Sequence, residues 1–307
     1  MINKTFVFGH KNPDTDSIAS AICMSNLRNK LGETTECFRL GNINKETAFA
    51  LKKFNFEEPK LLDSIDENTN VIMVDTNEFT QSVEGIEKAC IKMIVDHHRI
   101  NLQTSEPIYY IAEPVGCTST ILYKLYKQND VEIDANIAGL MLSAIISDTL
   151  LFKSPTCTEE DKATAKKLAD IAGVDISTYG LELLKAGTDL SDYTPEQVIN
   201  MDCKLFEKDG KKFKIAQINT ADINDVFKKQ SFFEAAIDNE IKNDNLDLYV
   251  FAATDILNAN SKVITMGNSA NVVEKAFGVS LDNHTATLEN VVSRKKQILP
   301  NILSNLD

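Results

Sequence analysis

The sequence predicts an α/β protein in two parts. A parallel-sheet domain is expected over residues 1–187, a linker over 188–193, and a smaller mixed-sheet α/β domain over 194–307. Three observations carry this expectation. Up to about residue 187, short apolar runs alternate with helical segments, the pattern of a parallel sheet covered on both faces. After "GTDLSDYTPEQ" (187–197) the texture shifts to a hairpin and further strands. Finally, 307 residues is long for one hydrophobic core.

Each element has a local reason. "KTFVFG" (4–9) is a β-branched and aromatic run, followed by a helix over 17–32 that Ser17 is placed to cap and Gly32 to close. "VIMV" (71–74), "IKMIV" (91–95) and "PIYYIA" (107–112) read as strands. Helical patterns follow at 116–128, 134–149, 159–172 and 176–186. In the second part, "CKLFEKDGKKFKIAQIN" (203–219) reads as a hairpin turning at Asp209-Gly210. "LDLYVFAAT" (246–254) and "KVITM" (262–266) are further strands, with a helical segment near 231–243.

Composition excludes several function classes. With 43% hydrophobic and 25% charged residues, the chain is of ordinary globular type. A net charge of −13 opposes a broad nucleic-acid footprint, but not a small anion held by metal ions and a few placed cations. The longest apolar stretch, "IAGLMLSAII" (137–146), is too short to cross a bilayer, and "MINKTFVFGHKN" lacks the apolar core of a signal peptide. The six cysteines form no CxxC pair, so they are expected to be reduced, mostly buried residues of a cytoplasmic protein.

The chemistry collects where strands end. "FVFGHKNPDTD", "VIMVDTNE" and "IVDHHR" all finish an apolar run with acidic or imidazole side chains, and "LMLSAIISD" ends in Asp148. In open parallel sheets ligands gather at the carboxyl ends of strands, so His10, Asp14, Asp16, Asp75, His97 and Asp148 are expected on one rim. Three of the four histidines lie in these motifs. Asp14 and Asp16, two apart, project to the same side of an extended loop. Adjacent His97 and His98 would point opposite ways in extended chain, one to metal and one to substrate. Mixed imidazole and carboxylate ligands suit manganese, iron, cobalt or zinc better than calcium, and four carboxylates balance two divalent ions with a shared one, such as Asp75, between them. Paired metals of this kind clamp an in-line phosphoryl displacement. Taken singly, each piece has a plainer use: "NPDTDS" as a turn and N-cap, Asp75 as a loop acid, Asp148 as a helix-end residue. It is their combination that points to metal. Asp96 fits a supporting role beside the ligands.

The second part supplies cations. "SRKKQ" (293–297) holds the only run of three consecutive arginine or lysine residues in this acidic chain. A charge run is more often a solvated face, but arginine can fork onto phosphate oxygens and lysine can act as a point charge. Lys204, at the start of a predicted strand, is unremarkable by composition. "EPVGCTSTILYKLY" (113–126) reads as a helix start able to receive anions but lacking the P-loop GK[ST], "KSPTCT" (153–158) as a loop, and His284 as a surface residue.

In order, "GHKNPDTDS", "VDTNE", "DHHR", "SDT" and "SRKKQ" closely resemble the family II inorganic pyrophosphatases of the DHH phosphoesterase superfamily. The resemblance implies a Rossmann-like DHH domain that holds metals and a DHHA2-like C-terminal domain that closes over pyrophosphate. It places one metal on His10, Asp14 and Asp75, and the other on Asp16, Asp75, His97 and Asp148. It places substrate on His98, Lys204, Arg294, Lys295 and Lys296, with Asp75, His98, Lys204, Arg294 and Lys295 catalytic. It further implies two manganese ions per subunit, or cobalt, a magnesium ion arriving with substrate, a homodimer, and in-line attack by a metal-bridging hydroxide. Three rivals stand beside it. A DHH phosphodiesterase acting on oligonucleotides would usually carry a "GGGH"-like motif, which is lacking here. A short-chain polyphosphatase shares the same motifs. A non-catalytic sensor would tolerate loss of a ligand, yet the ligand set is complete. The reading is therefore a pyrophosphate-hydrolysing enzyme with no nucleic-acid or membrane partner.

Overall fold

A computed structural model describes residues 4–306, which divide into two compact units, one ending at Gly187 and one beginning at Thr188. In chain order, the first unit comprises β1 (Thr5–Phe8), α1 (Thr15–Lys30), β2 (Thr35–Arg39), α2 (Lys45–Lys53), β3 (Lys60–Leu61), β4 (Asn70–Val74), β5 (Cys90–Asp96) and β6 (Tyr109–Ala112). Four helices follow: α3 (Thr118–Gln128), α4 (Ala135–Thr149), α5 (Glu159–Ala172) and α6 (Ile176–Gly187). The strands form one all-parallel sheet in the order β3-β2-β1-β4-β5-β6. The chain runs outward from β1 to β3, then returns to β1's other side with β4. That reversal leaves a crevice between the carboxyl ends of β1 and β4, where such sheets bind ligands.

Burial explains the sequence texture. β4 is buried along its whole length, as a central parallel strand must be. One sheet face packs Phe8, Phe38, Val71, Met73, Val83, Ile86 and Ile94 together. The apolar stretch in α4 is buried all round, from Ile137 to Ile146, so it is a core helix. Among the described residues, no helix is long and apolar enough to cross a membrane.

One local expectation needs correction. Asp14, not Ser17, caps α1: its carboxylate accepts the Ser17 N–H at 2.9 Å, the role a short acidic side chain fills best. Eight short elements are not evident from the sequence pattern: β2, α2 and β3 and, in the second unit, four helices (Pro195–Asn200, Ile223–Phe227, Asn271–Phe277 and Leu299–Asn305) and the last strand, Thr285–Leu288. They span two to nine residues each, too short for a periodic pattern to stand out.

The second unit begins with α7 (Pro195–Asn200), then β7 (Cys203–Lys208) and β8 (Lys211–Thr220). These two strands form the expected antiparallel hairpin, with Asp209 and Gly210 both at positive φ (52° and 81°). Next come α8 (Ile223–Phe227), α9 (Gln230–Asp244), β9 (Leu248–Asp255), β10 (Asn260–Met266), α10 (Asn271–Phe277), β11 (Thr285–Leu288) and α11 (Leu299–Asn305). The mixed sheet runs β11-β10-β9-β8-β7, with only the β8–β9 pair parallel. Both faces are covered. Val198, Ile199, Phe233 and Ile237 pack on one side, and Val272, Val273, Ile298 and Ile302 on the other. The "SRKKQ" segment forms a single π-helical turn, Arg294–Ile298, leading into α11.

All six cysteines are free; Cys23 and Cys117 are buried and the other four partly so.

Candidate metal centre

Five elements of the first unit bring the predicted acids and imidazoles together. His10 follows β1, Asp14 caps α1 and Asp16 lies in its first turn, Asp75 follows β4, His97 and His98 follow β5, and Asp148 lies in the last turn of α4. His10 Nε2 stands 3.6 Å from Asp14 Oδ2 and 3.4 Å from Asp75 Oδ2. His97 Nε2 stands 3.4 Å from Asp75 Oδ1 and 3.8 Å from Asp148 Oδ2. Asp75 is thus shared, one carboxylate oxygen turned to each imidazole. Potential ligand atoms of His10, Asp14 and Asp75 lie within 4.8 Å of one another, as do those of Asp16, Cys117 and Asp148.

The backbone is bent to make this meeting. Asp75 donates its N–H to Val95 O at 2.9 Å, then turns through φ 56°, a left-handed conformation that acidic residues tolerate better than branched ones. β5 ends at Asp96, and the chain bends there. Consequently the rings of His97 and His98 do not diverge as extended chain would require; their centroids are 4.2 Å apart. Their environments still separate their roles. His97 is 14% exposed, and its Nδ1 meets Val115 O at 3.0 Å, which assigns the proton to Nδ1 and leaves Nε2 a free ligand atom. His98 is 53% exposed, and its Nδ1 is held by Asp96 Oδ1 at 2.9 Å, leaving Nε2 directed elsewhere. Asp96, wholly buried, also accepts the His98 N–H and an Asn77 amide hydrogen.

Electrostatics mark the cluster as built for cations. Burial and the neighbouring Asp75 charge push the Asp16 carboxyl up to about 6. Asp148 is raised by burial and by Asp16, Asp75 and Asp14. Burial opposes charge on His10 and His97, but their carboxylate neighbours win, lifting His10 to about 10 and His97 to about 9. Asp75 would be raised by burial, yet His10 and His97 hold it well below the usual range. His98 is raised by its hydrogen bond to Asp96. In short, the protein alone needs protons where acids crowd. A divalent ion would replace them, and Asp75 Oδ2, buried without a hydrogen-bond partner, is an oxygen left for one. The residues fit a divalent metal site.

Sequence reasoning missed several supporting groups. The start of α3, read as able to receive an anion, receives Asp16 itself, through the N–H groups of Thr118 (2.7 Å) and Ser119 (3.2 Å). Ser20 and Ser119 hydroxyls add bonds of 2.7 and 3.0 Å to Asp16 Oδ1. On α2, Glu46 accepts from Thr15 Oγ1 at 2.7 Å and from Ser147 Oγ, gripping the neighbours of Asp14 and Asp148. Only the "VGCTST" composition hinted at the first of these.

Lys204, Arg294, Lys295 and Lys296 lie in the second unit. Lys204 is exposed on β7, and Lys295 and Lys296 are exposed on the π-helical turn. Arg294 Nη1 pairs with Asp202 Oδ1 at 2.9 Å, and its N–H donates to Gln217 Oε1 at 2.8 Å. Gln217, unremarked in the sequence, also donates to Val292 O at 2.9 Å, so β8 holds the turn in place. His284 is a surface residue beside Glu234, as expected.

With this geometry in view, comparison with known proteins is decisive. The DHH family N-terminal domain matches residues 4–145, and the DHHA2 domain residues 181–305. The manganese-dependent inorganic pyrophosphatase of Bacillus subtilis (strain 168) is 54% identical over 301 residues, 97% of each chain. The chain belongs to this family. Among solved structures, a candidate family II inorganic pyrophosphatase from Methanococcus jannaschii is 42% identical, covers 98% of this chain and 99% of its own, and superposes with a TM-score of 0.61. The family membership accounts for both units at once, since each domain description matches one of them.

Proposed function

We propose that the chain hydrolyses inorganic pyrophosphate to two orthophosphates at a dinuclear manganese centre in the first unit. The observation that carries this is Asp75, a buried carboxylate between two imidazoles with one oxygen turned to each and Oδ2 without a hydrogen-bond partner. His10, Asp14 and Asp75 would hold one ion, and Asp16, Asp75, His97 and Asp148 the other. Bound ions supply Lewis acidity toward phosphoryl oxygens and a nucleophile drawn from water near neutral pH, for in-line displacement. The chain's own groups do the rest. Asp96 fixes His98, whose Nε2 serves a phosphate oxygen. Arg294, Lys204, Lys295 and Lys296 bind and neutralise the phosphates, Arg294 being oriented in advance by Asp202. Among the groups that touch metal or substrate, Asp75, His98, Lys204, Arg294 and Lys295 are the ones assigned to catalysis.

The same ligands would accept cobalt, and a magnesium ion would accompany the substrate. The first unit acts as the metal-binding catalytic domain, the second as the substrate-binding domain, with residues 188–193 as the linker. We further propose a homodimer in the cytoplasm, consistent with six unpaired cysteines. The deciding assay is phosphate release from pyrophosphate, tripolyphosphate and a dinucleotide, each with manganese or magnesium as the sole divalent ion. Pyrophosphate with manganese should be fastest; preference for the dinucleotide would overturn the proposal.

A further inference from the structure

Asp16 and Asp75 come from different elements, yet both are gripped by one helix. Thr118 and Ser119 donate backbone N–H groups to Asp16, and the Thr118 hydroxyl donates to Asp75 Oδ1 at 3.2 Å. The N-terminus of α3 therefore sets the spacing between two residues at the heart of the site. What holds that N-terminus is not its own cap. Cys117 occupies the N-cap position with no side-chain cap hydrogen bond, as a thiol is a poor acceptor.

The anchor comes from α5. Asp161 is fully buried and faces no cation at ion-pair distance among the described residues. Its Oδ2 accepts the Thr158 N–H and hydroxyl, both at 2.7 Å, completing a capping box on α5. Capping alone would not require burial, nor its other two bonds. Oδ2 also accepts the Gly116 N–H at 2.8 Å, and Oδ1 accepts from Thr120 Oγ1 at 2.6 Å, both on the α3 side. The approach is close: a Cβ on Gly116 would lie 2.8 Å from Asp161 Oδ2 and 3.0 Å from Thr149 Cγ2. Four donors compensate a buried charge that would otherwise be costly.

We propose that Asp161 is a positioning residue of the metal centre. By clamping Gly116 and Thr120 it fixes the start of α3, and through α3 the relative placement of Asp16 and Asp75. Asp161 falls between the segments matched by the two domain families, 4–145 and 181–305. The inference rests on the reading of Asp16 and Asp75 as metal ligands.

The test is Mn2+ titration of the full-length, metal-free protein, with free Mn2+ followed by electron paramagnetic resonance. Asp161→Ala should weaken Mn2+ binding by about 10- to 100-fold, the usual effect of losing support behind a ligand. Asp161→Asn should stay within about threefold, because its oxygen can still accept from Gly116 and its amide can donate to the Thr120 hydroxyl. Thr158→Ala removes the α5 cap but leaves the bonds to Gly116 and Thr120. It should lower the melting temperature while Mn2+ affinity holds within about twofold. Wild-type affinity in Asp161→Ala, or an equal loss in Thr158→Ala, would overturn the proposal. Should Asp161→Ala fail to fold, Thr120→Val takes its place: several-fold weaker binding supports the clamp, and unchanged binding refutes it. A wild-type chain that binds no Mn2+ would defeat the metal-centre reading itself, and this inference with it.

Discussion

Asp75 is held in a state that a carboxylate seldom occupies: buried, at φ 56°, with Oδ2 lacking a hydrogen-bond partner among the described residues. A buried oxygen without a hydrogen bond costs about 1–3 kcal/mol, which the ion pair with His10 offsets in part and a bound cation would offset further. The imidazoles beside it carry the counterpart prediction. Without metal, His10 is raised to about 10 and His97 to about 9, so both rings are protonated at neutral pH. A cation arriving at either Nε2 must expel that proton. Binding therefore competes with protons, and apparent Mn2+ affinity should rise with pH across the range from 6 to 9 and weaken as pH falls. Calorimetry at pH 7.5 in two buffers of different ionisation enthalpy should show roughly two protons released per chain as the sites fill. No release would refute ligation by imidazoles that are protonated before metal binds.

At the scale of elements, α1 carries two duties in one residue. Asp14 caps the helix by accepting the Ser17 N–H and also faces His10. Substitution can separate the two. Asp14→Ala and Asp14→Ser both lose the contact with His10, but serine still caps. Denaturant unfolding of the metal-free protein should find the alanine variant about 1 kcal/mol less stable than the serine one, while both bind Mn2+ weakly. Equal stabilities would mean that the cap contributes nothing. The strand-end loops were legible because polar residues end apolar runs abruptly, as in "IVDHHR" and "VIMVDTNE". Helices α3, α5 and α6 were legible from their periodic apolar faces, and α4 from the length of its continuous apolar stretch. The grip of α3 on Asp16 was not, since backbone N–H groups from residues about a hundred positions away leave no mark on side-chain pattern. Nor was the left-handed turn at Leu150, Leu151 and Phe152 just after Asp148, where bulky residues take φ of 47°, 51° and 68° against their preference. The bend that brings the His97 and His98 rings together was equally silent, because pairing rules describe strands and β5 stops at Asp96.

For the whole molecule, charge poses the central problem. A chain of net charge −13 that gathers four carboxylates at one sheet edge repels the very anion it is proposed to hydrolyse. Metal ions reverse the field locally, and the remaining countercharge must come from side chains. The residues proposed for that duty lie in the other unit: Arg294 and Lys295 on a turn fastened by Gln217 and Asp202, and Lys204 on β7. The division predicts two separable losses. Arg294→Ala or Lys295→Ala should lower turnover by about 10²-fold, the typical effect of removing one donor to transition-state charge. Mn2+ stoichiometry should stay at the wild-type value, because the proposed ligands all lie in the other unit. Asp75→Ala should do the reverse, depleting bound metal first and activity only as a result. Phosphate release measured beside Mn2+ content on the same preparations distinguishes the cases. If the Arg294 variant loses metal in step with activity, its cation serves the metal centre, and the assignment of binding and chemistry to separate units is wrong.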